Sequence, residues 1–452
     1  MSDQPTYDLL AAARAEFGAL SASEERVLRA VIKGDVAYCG PCERTDDPAN
    51  DPAKAAEWGK DRTVRARLIR WLCVDGEASK HVDPAGIQIH GARIGDPLVE
   101  KILDLNASTI AFPLAFTSCK FEAALNLMAG RLHWLDLTAC HIPGMRGDGV
   151  TVRGPILLRG GFSVDGDLFL GGAEIGGQLD LSGARFNQAS NLILQNTTVK
   201  QAFFWRDLAR DSPVKLDLRR ASVGQLSDDE QSWPQKGNLV LDSFVYERIG
   251  EGPTDAKKRL EWLGRQPDGF VPQPYRQLAK VLRDAGDDAG AREVLIAMED
   301  ARLSHGSLGV AQKAVRWILR LTVGYGYKPL RALWWIALFV FIGTLIFSWG
   351  KNSNVIMQVD EKRPPAAFQS FNPFIYSLEN FVPLVNLRMA AHWMPDANAA
   401  PTPLLIPFSD QLAPAPRWLG SYIRWYLWLH ILLGWFFTAM LLAGVTGLVR
   451  RE

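Results

Sequence analysis

Residues 166–186 read GDLFLGGAEIGGQLDLSGARF, and two apolar-x-apolar units in this stretch, LFL at 168–170 and LDL at 179–181, begin 11 residues apart. The same unit recurs at 103–105, 125–127, 135–137, 156–158, 192–194, 216–218 and 239–241. From Leu158 onward, the last residues of successive units are separated by 12, 11, 13, 24 and 23 residues. A fixed period of this size indicates a solenoid of stacked coils.

Each unit predicts a strand of about three residues in which one polar side chain stands between two inward-facing ones. Glycines between the units, among them Gly172 and Gly176, permit tight corners with positive φ. Two units per coil build a parallel β-helix, which we expect to be right-handed, over residues 96–250. A β-sandwich is the alternative for such short strands, but its hairpins would not keep so even a spacing.

Amphipathic helices are predicted on the N-terminal side of the repeats. Residues 6–34 and 63–74 place apolar side chains at helical spacing. We expect them to form a helical cap of residues 1–95 that protects the first edge of the β-helix.

A helical hairpin is predicted after the repeats. Apolar stripes with a period of 3.6 run over 275–282 and 291–298, and Gly286 separates them. This segment resembles a tetratricopeptide-type hairpin. A single hairpin cannot bury its own apolar face, so we expect it to cover the last coil. With a basic helix at 308–322 it forms a connecting segment of residues 251–325.

Two C-terminal segments, Leu330–Trp349 and Tyr422–Val449, are long and apolar enough to cross a bilayer, so residues 326–452 are predicted to be a two-span transmembrane domain. Basic residues flank them at Lys313, Arg316, Arg320, Lys328, Arg331, Arg450 and Arg451. By the positive-inside rule both termini are cytoplasmic and the loop 350–421 faces the other side. The chain begins without the basic and apolar regions of a secretory signal, which agrees with a cytoplasmic β-helix.

The loop between the spans contains a short predicted helix. Asn372 and Pro373 form a helix start, and apolar residues then recur at helical spacing until Pro383. The order of span, short helix, polar turn and span resembles two-span pore-loop channels, although no TVGYG-like run follows, so potassium selectivity is not implied. We predict a re-entrant helix with pore-lining residues Glu379, Asn380, Asn386 and, from the second span, His430. For His430, a hydrogen bond to a neighbouring helix is the alternative. An amphipathic helix on the outer surface is the alternative.

Motifs for catalysis or metal binding are weak. Cys39-Gly-Pro-Cys42 has the spacing of thioredoxin-like enzymes, but a loop rich in acids and proline follows it instead of a helix that would activate the thiolate. We predict that both cysteines are dispensable. Cys73, His81 and His90 show no recognisable zinc spacing. The chain contains no GxSxG, HExxH or GxxxxGK[ST] motif, so no catalytic residue, metal or cofactor is predicted.

Basic residues gather around the last coils, beside aromatic side chains that could stack on bases. Lysine plus arginine total 50 and aspartate plus glutamate 49, so a polyanionic partner would have to be bound by such a local patch. The predicted ligand-binding residues are Arg206, Arg210, Arg219, Arg220, Lys257, Lys258 and Arg259. The alternative is a solvated face of the β-helix.

The whole layout resembles a family of bacterial inner-membrane proteins. The resemblance rests on VRARLIRWLCVD, VDPAGIQIHGARI, the pentapeptide-repeat-like coils, GYGYKPLRALWW, FNPFIYSLENFVPLVNL and WLHILLGWFFTAMLLAGVTGL. Members are often labelled membrane-associated oxidoreductases, a name that no residue here supports. The chain also resembles Hailong-type anti-phage membrane effectors, for which a nucleotidyltransferase makes deoxynucleotide oligomers that open an oligomeric channel.

Three functional hypotheses follow. The resemblance implies a ligand-gated pore effector in anti-phage defence, with the β-helix as sensor and a nucleotidyltransferase product as ligand. Two helices cannot enclose a conduit, so such a pore requires a homo-oligomer, and we favour a tetramer. A non-conducting, membrane-anchored scaffold that binds a protein partner is the second hypothesis. A redox enzyme is the third.

Overall fold

The computed structural model describes residues 8–44, 47–95, 102–209, 213–305, 309–359, 370–399, 404–405, 412–413 and 418–445. The chain divides into two compact units, an N-terminal unit of residues 1–305 and a C-terminal unit of residues 306–452. The predicted hairpin belongs to the first unit and the predicted basic helix to the second.

The N-terminal unit begins with short helices and two strands. These elements are α1 (Leu9–Phe17), α2 (Ala22–Lys33), β1 (Ala37–Tyr38), β2 (Thr63–Val64) and α3 (Ala66–Val74). The helix predicted over 6–34 is interrupted after Phe17, because Gly18 adopts φ +71 and Ser21 starts α2 with a capping box to Glu24.

A parallel β-solenoid of about seven coils occupies residues 87–249, as the repeat predicts. Its strands are β3 (Ile87–His90), β4 (Arg93–Ile94), β5 (Leu114–Thr117), β6 (Lys120–Phe121), β7 (Leu125–Asn126), β8 (Arg131–Leu132), β9 (Leu135–Asp136), β10 (His141–Ile142), β11 (Met145–Arg146), β12 (Thr151–Val152), β13 (Ile156–Leu157), β14 (Ser163–Val164), β15 (Leu168–Phe169), β16 (Glu174–Ile175), β17 (Leu179–Asp180), β18 (Arg185–Phe186), β19 (Ser190–Ile193), β20 (Thr198–Trp205), β21 (Val214–Asp217), β22 (Ser222–Asp228), β23 (Leu239–Val240) and β24 (Val245–Ile249).

The strands form three parallel sheets, and in the central coils each coil gives two strands to the first sheet and one to each of the others. Stacked residues of the first sheet are 21 to 24 positions apart along the chain, in the order Leu135, Ile156, Leu179, Phe203, Leu226 and Ile249. This spacing confirms the predicted coil of two apolar-x-apolar units. The apolar ends of the units, such as Leu170 and Leu181, are fully buried in the interior.

The central coils differ from the prediction in having four short strands instead of two. The additional strands, such as β16 and β18, follow a small inward residue, Ala173 or Ala184, that is fully buried.

The glycines of the coils have two different structural roles. Gly172 has φ +66 as predicted, whereas Gly176 lies outside the left-handed region, and a Cβ there would come within 2.1 Å of the Arg153 carbonyl oxygen of the preceding coil.

Both ends of the solenoid are covered. At the first end, β1 pairs with β3 and β2 with β4, so the predicted helical cap also supplies strands to the sheets. The far end is followed by α4 (Ala256–Leu263), α5 (Gln273–Asp284) and α6 (Asp288–His305). Side-chain amides of α5 donate to the last strand, from Gln273 Nε2 to Phe244 O at 2.9 Å and from Gln277 Nε2 to Tyr246 O at 2.6 Å. The hairpin therefore caps the β-helix, as predicted.

The C-terminal unit comprises α7 (Val310–Val323), α8 (Arg331–Asn352), β25 (Ile356–Gln358), α9 (Pro373–Phe381), β26 (Trp393–Pro395), β27 (Leu404–Leu405), β28 (Leu412–Ala413) and α10 (Leu419–Val445). Among the described residues, α8 and α10 are the helices long and apolar enough to cross a membrane. They correspond to the predicted spans. The short helix predicted between the spans is α9.

A buried ion pair closes the last coil of the N-terminal unit. Arg259 of α4 has no exposed surface, and its Nη1 and Nη2 atoms donate to the two carboxylate oxygens of Asp228 at 2.8 and 2.7 Å. Its Nε donates to Pro253 O at 2.6 Å, and Trp233 Nε1 donates to the same carboxylate at 2.8 Å. Each guanidinium nitrogen and both carboxylate oxygens thus make hydrogen bonds, which offset the cost of removing the charges from water.

Replacing Asp228 with Asn should loosen this end of the solenoid, because Arg259 would remain charged without its carboxylate. Breaking one side of a buried pair costs about 3–5 kcal/mol, which raises the population of the open form on the order of 100- to 5,000-fold. Hydrogen exchange of the full-length protein in detergent should accelerate by about that factor in Ser222–Asp228 and Ala256–Leu263.

The matched control is Glu230→Gln, which removes the carboxylate that pairs with the exposed Lys258. This variant should exchange like the unmodified protein. Equal exchange rates in the Asp228→Asn and Glu230→Gln proteins would contradict the structural role of the buried pair.

Candidate functional site between the spans

The helix α9 has well-defined ends. Asn372 Oδ1 accepts hydrogen bonds from the backbone N–H groups of Phe374 and Ile375 at 3.0 and 3.2 Å, and Pro373 occupies the first turn. Pro373 lacks an N–H group, but an N–H group in the first turn has no acceptor within the helix, so no hydrogen bond is lost. After Phe381 the backbone becomes extended at Val382, and Pro383 follows. These features confirm the helix start and stop predicted from the sequence.

Aromatic contacts place α9 along α8, from near the end of α8 to its middle. Tyr376 meets Phe347, five residues before the end of α8, with ring centroids 4.9 Å apart. One turn further on, Phe381 stacks on Phe339, near the midpoint of α8, at 5.8 Å. Phe381 also stacks on Phe437 of α10 at 6.4 Å. The helix α9 therefore packs against both α8 and α10.

Glycines allow this close packing. A Cβ on Gly343 of α8 would lie 2.3 Å from Ser377 Oγ and 2.6 Å from His430 Cε1. A Cβ on Gly434 of α10 would lie 1.8 Å from the Phe381 carbonyl oxygen. Real side-chain carbons do not come this close to backbone, so α9 can occupy its position only because these residues are glycine.

His430 connects the three helices from the interior of the C-terminal unit. It is 1% exposed, and its Nε2 lies 3.2 Å from Ser377 Oγ and 3.1 Å from Ser377 O, while Nδ1 lies 3.2 Å from Tyr426 OH. Ser377 Oγ donates in turn to Val340 O at 2.8 Å. The rings of Phe347 and Phe381 pack on the imidazole. The ring of His430 is therefore enclosed and hydrogen-bonded to a neighbouring helix, which agrees with the alternative to a pore-lining position.

Glu379 holds the chain that follows α9. Its Oε2 accepts hydrogen bonds from the backbone N–H groups of Met389 at 2.8 Å and Ala390 at 3.1 Å. We call residues 382–390 the return segment, since they leave the deep end of α9 and lead to β26. The half-buried carboxylate thus fixes the return segment, and its position beside a permeation path stays a prediction.

The other predicted pore-lining residues occupy different positions. Asn380 is half-buried, and its Nδ2 donates to Tyr376 O at 2.8 Å within α9. Asn386 is exposed on the return segment and accepts from the Arg388 N–H at 3.2 Å. Leu384, Leu387 and Arg388 are exposed beside it. Sequence reasoning missed Ser377, the two glycines and Arg388, although small residues within apolar spans are a known signal of close helix packing.

The basic residues near the last coils do not form one surface. Arg206 follows β20 and Arg219 precedes β22, so they lie at opposite ends of the strands of the first sheet, and the eight residues of β20 span about 25 Å. Several side chains pair with carboxylates, in the pairs Arg206–Glu251, Arg219–Asp217, Lys258–Glu230 and Arg259–Asp228. Arg259 is buried and is not available to a ligand. Arg220 and Lys257 are exposed, and Arg210 lies outside the described residues.

The pair of Arg219 and Asp217 is held by several hydrogen bonds. Arg219 Nε donates to Asp217 Oδ1 at 3.0 Å and Nη2 donates to Oδ2 at 2.6 Å. Burial alone would raise the pKa of Asp217, but the hydrogen bonds from Arg219 and Gln195 outweigh it and hold the pKa below its ordinary value. Asp217 is therefore ionised at neutral pH and neutralises part of the predicted basic patch.

The thiol of Cys39 is not activated. Cys39 is buried, with Sγ 3.7 Å from Ala37 O, and burial raises the pKa of its thiol to about 11. Asn50 is fully buried beneath the loop, and its Nδ2 donates to Cys42 O at 2.9 Å. Among the described residues no cluster of three or more His, Cys, Asp or Glu side chains is arranged to hold a metal ion. A thiolate nucleophile needs a lowered pKa, so the thiol environment argues against redox chemistry at Cys39.

Comparison of this chain with models of known protein families, with curated protein sequences and with solved structures finds no match.

Replacing Gly434 with Ala should displace α9, because the added carbon would overlap the Phe381 carbonyl. Overpacking of this kind destabilises by about 1–3 kcal/mol, and contact with rigid backbone places the effect at the upper end. Size-exclusion chromatography of heated, detergent-solubilised protein should show loss of the folded peak at a temperature lower by several degrees.

Ala439→Val serves as the control for added volume, since Ala439 lies on the same helix but is exposed. It should melt like the unmodified protein. If Gly434→Ala proves equally stable, α9 does not approach α10 as closely as the structure indicates.

Proposed function

We propose that this chain is a ligand-gated pore of a bacterial inner membrane, built as a homo-oligomer, in which α9 is a re-entrant helix and the right-handed β-helix is a cytoplasmic sensor. The observation that carries the proposal is the position of α9 and its return segment beside the middle of α8. A helix that ends at mid-span and a non-helical return are the parts from which pore loops are made.

The physical argument concerns the backbone of the return segment. Non-helical backbone at membrane depth is tolerated only where it is buried in protein or lines a water-filled cavity. The return segment is held by Glu379 at Met389 and Ala390, while Asn386 and Arg388 are exposed. Polar and charged side chains there would be costly against lipid. They are better accommodated in a lumen shared by several copies.

A single copy cannot supply such a lumen. Two spans and one short helix do not enclose a conduit, so copies must assemble around a common axis. We favour a tetramer, closed at rest, with Asn386 and Arg388 from each copy near the axis. The basic residues before α8 and after α10 support a cytoplasmic location of both termini, by the positive-inside rule.

The ligand belongs to the N-terminal unit in this proposal. The family resemblance implies a deoxynucleotide oligomer made by a nucleotidyltransferase, in anti-phage defence. Of the seven basic residues predicted to bind it, Arg219, Arg220, Lys257 and Lys258 are exposed. Arg219 pairs with Asp217 and Lys258 pairs with Glu230. Among the described members of this set, the exposed basic surface of the proposed sensor therefore consists of these four side chains.

Glu379→Gln tests the proposal. A neutral amide accepts weaker hydrogen bonds from Met389 and Ala390 than a carboxylate does, so the return segment should shift relative to the pore axis. We expect a changed unitary conductance or ion preference in planar bilayers, with unaltered membrane insertion and oligomer size. Currents should be recorded with and without short single-stranded oligodeoxynucleotides.

The control is Asp396→Asn, which alters a carboxylate that caps a loop outside α9 and the return segment by accepting from the Asn398 N–H at 2.9 Å. Its currents should match those of the unmodified protein. Unchanged currents in Glu379→Gln would remove α9 from the conduction pathway. The absence of any unitary current from the unmodified oligomer under both conditions would leave the membrane-anchored scaffold as the function.

A further inference from the structure

The helix α7 presents an unusually apolar exposed face. Val310, Trp317, Ile318 and Leu321 are all exposed, with Trp317 at 58% and Val310 at 87%. At 100° per residue, Val310, Trp317 and Leu321 fall within 40° of one another, and Ile318 adjoins them. An apolar face of this kind marks an interaction site for a membrane or another protein.

A basic stripe runs along one side of the same helix. Lys313, Arg316 and Arg320 recur at spacings of three and four residues, so they lie on one face of α7 within about 60° of one another. No acidic residue occurs in Val310–Val323. Lysine and arginine beside a broad apolar face are typical of helices that lie in the plane of a membrane interface.

The end of α7 is fixed at the start of α8. Thr322 and Val323 are buried, and the following turn, Gly324–Gly326, is buried as well. Tyr325 in this turn has φ +58 between two glycines that also have positive φ, so the chain turns sharply and α7 does not continue into α8. Trp335 Nε1 of α8 donates to Leu321 O at 3.3 Å. The apolar face of α7 is therefore tethered to the end of a helix that is apolar enough to cross a membrane.

We propose that α7 is an interfacial helix that lies on the cytoplasmic leaflet and binds anionic lipid headgroups. Trp317, Ile318 and Leu321 enter the boundary of the acyl chains, while Lys313, Arg316 and Arg320 contact lipid phosphates. A bilayer is the occupant that accounts for both observations, because it supplies an apolar layer and negative charge at the level where α8 begins. The inference requires α8 to span a membrane but does not require the protein to conduct.

The test uses full-length protein in vesicles with a fluorophore on one introduced cysteine. Cys42→Ser provides the background, since the other four cysteines are buried. An environment-sensitive nitrobenzoxadiazole label on Trp317→Cys should shift its emission to the blue. Lipids with brominated acyl chains should quench it roughly twofold or more, as expected for a side chain at the acyl boundary.

Gln312→Cys is the matched control, because Gln312 lies away from the apolar face of the same helix. Its label should show neither the shift nor the quenching. A blue shift at residue 317 without quenching by brominated lipid would mean that protein covers the face, and equal signals at 312 and 317 would mean that no face is buried. Either result overturns the proposal. Ile318→Cys repeats the measurement in case Trp317→Cys fails to assemble.

The headgroup contacts are tested by lipid composition. Vesicles that contain phosphatidylglycerol should increase the quenching at residue 317 relative to phosphatidylcholine alone, and high salt should reverse the increase. Lys313→Gln, Arg316→Gln and Arg320→Gln together should abolish the dependence on phosphatidylglycerol. A triple variant that keeps this dependence, or an unmodified protein that lacks it, would overturn the assignment of these residues to lipid phosphates.

Discussion

Every backbone N–H and C=O group removed from water needs a hydrogen-bond partner, and this constraint governs both units of the chain. A β-helix coil finds partners only in the coils next to it, so the first and last coils are left with open edges. Here β1 and β2 extend the first edge, and the side-chain amides of Gln273 and Gln277 satisfy carbonyl groups of the last strand. The helical caps are thus a consequence of the repeat.

The same constraint is harder to meet beside apolar helices, where water is scarce. Phe381 ends α9 near the middle of α8, and the return segment that follows is not helical. The carboxylate of Glu379 accepts hydrogen bonds from two N–H groups of the return segment. The hydroxyl of Ser377 donates to Val340 O. Gly343 and Gly434 bring the helices close enough for these contacts. The polar side chains of Glu379 and Ser377 therefore hold the backbone of this region in place.

Features that depend on local pattern could be predicted from the sequence, whereas those that depend on partners distant in the chain could not. The units ending at Leu170 and Leu181 revealed the coil because large apolar residues repeat there. The strands after Ala173 and Ala184 could not be predicted from the apolar repeat, because the inward residue before each of them is a small alanine. Arg259 was assigned to a basic surface because nothing local shows that Asp228, 31 residues away, binds it in the interior. Glu379 was assigned to water for the same reason, since its partners lie ten and eleven residues further on.

Gating by a ligand requires that the ligand bind the open and closed states with different affinity, since equal affinity shifts no equilibrium. In the described coils from Ile87 to Ile249, each strand pairs with its neighbours along parallel ladders, so the solenoid offers no internal hinge between two arrangements. The difference between states must then arise where the ladders end, in the helical caps or between copies. A helix held at the membrane surface, as proposed for α7, would keep the start of α8 fixed in depth. The free energy of ligand binding would then act on the spans by rotating them or moving them sideways.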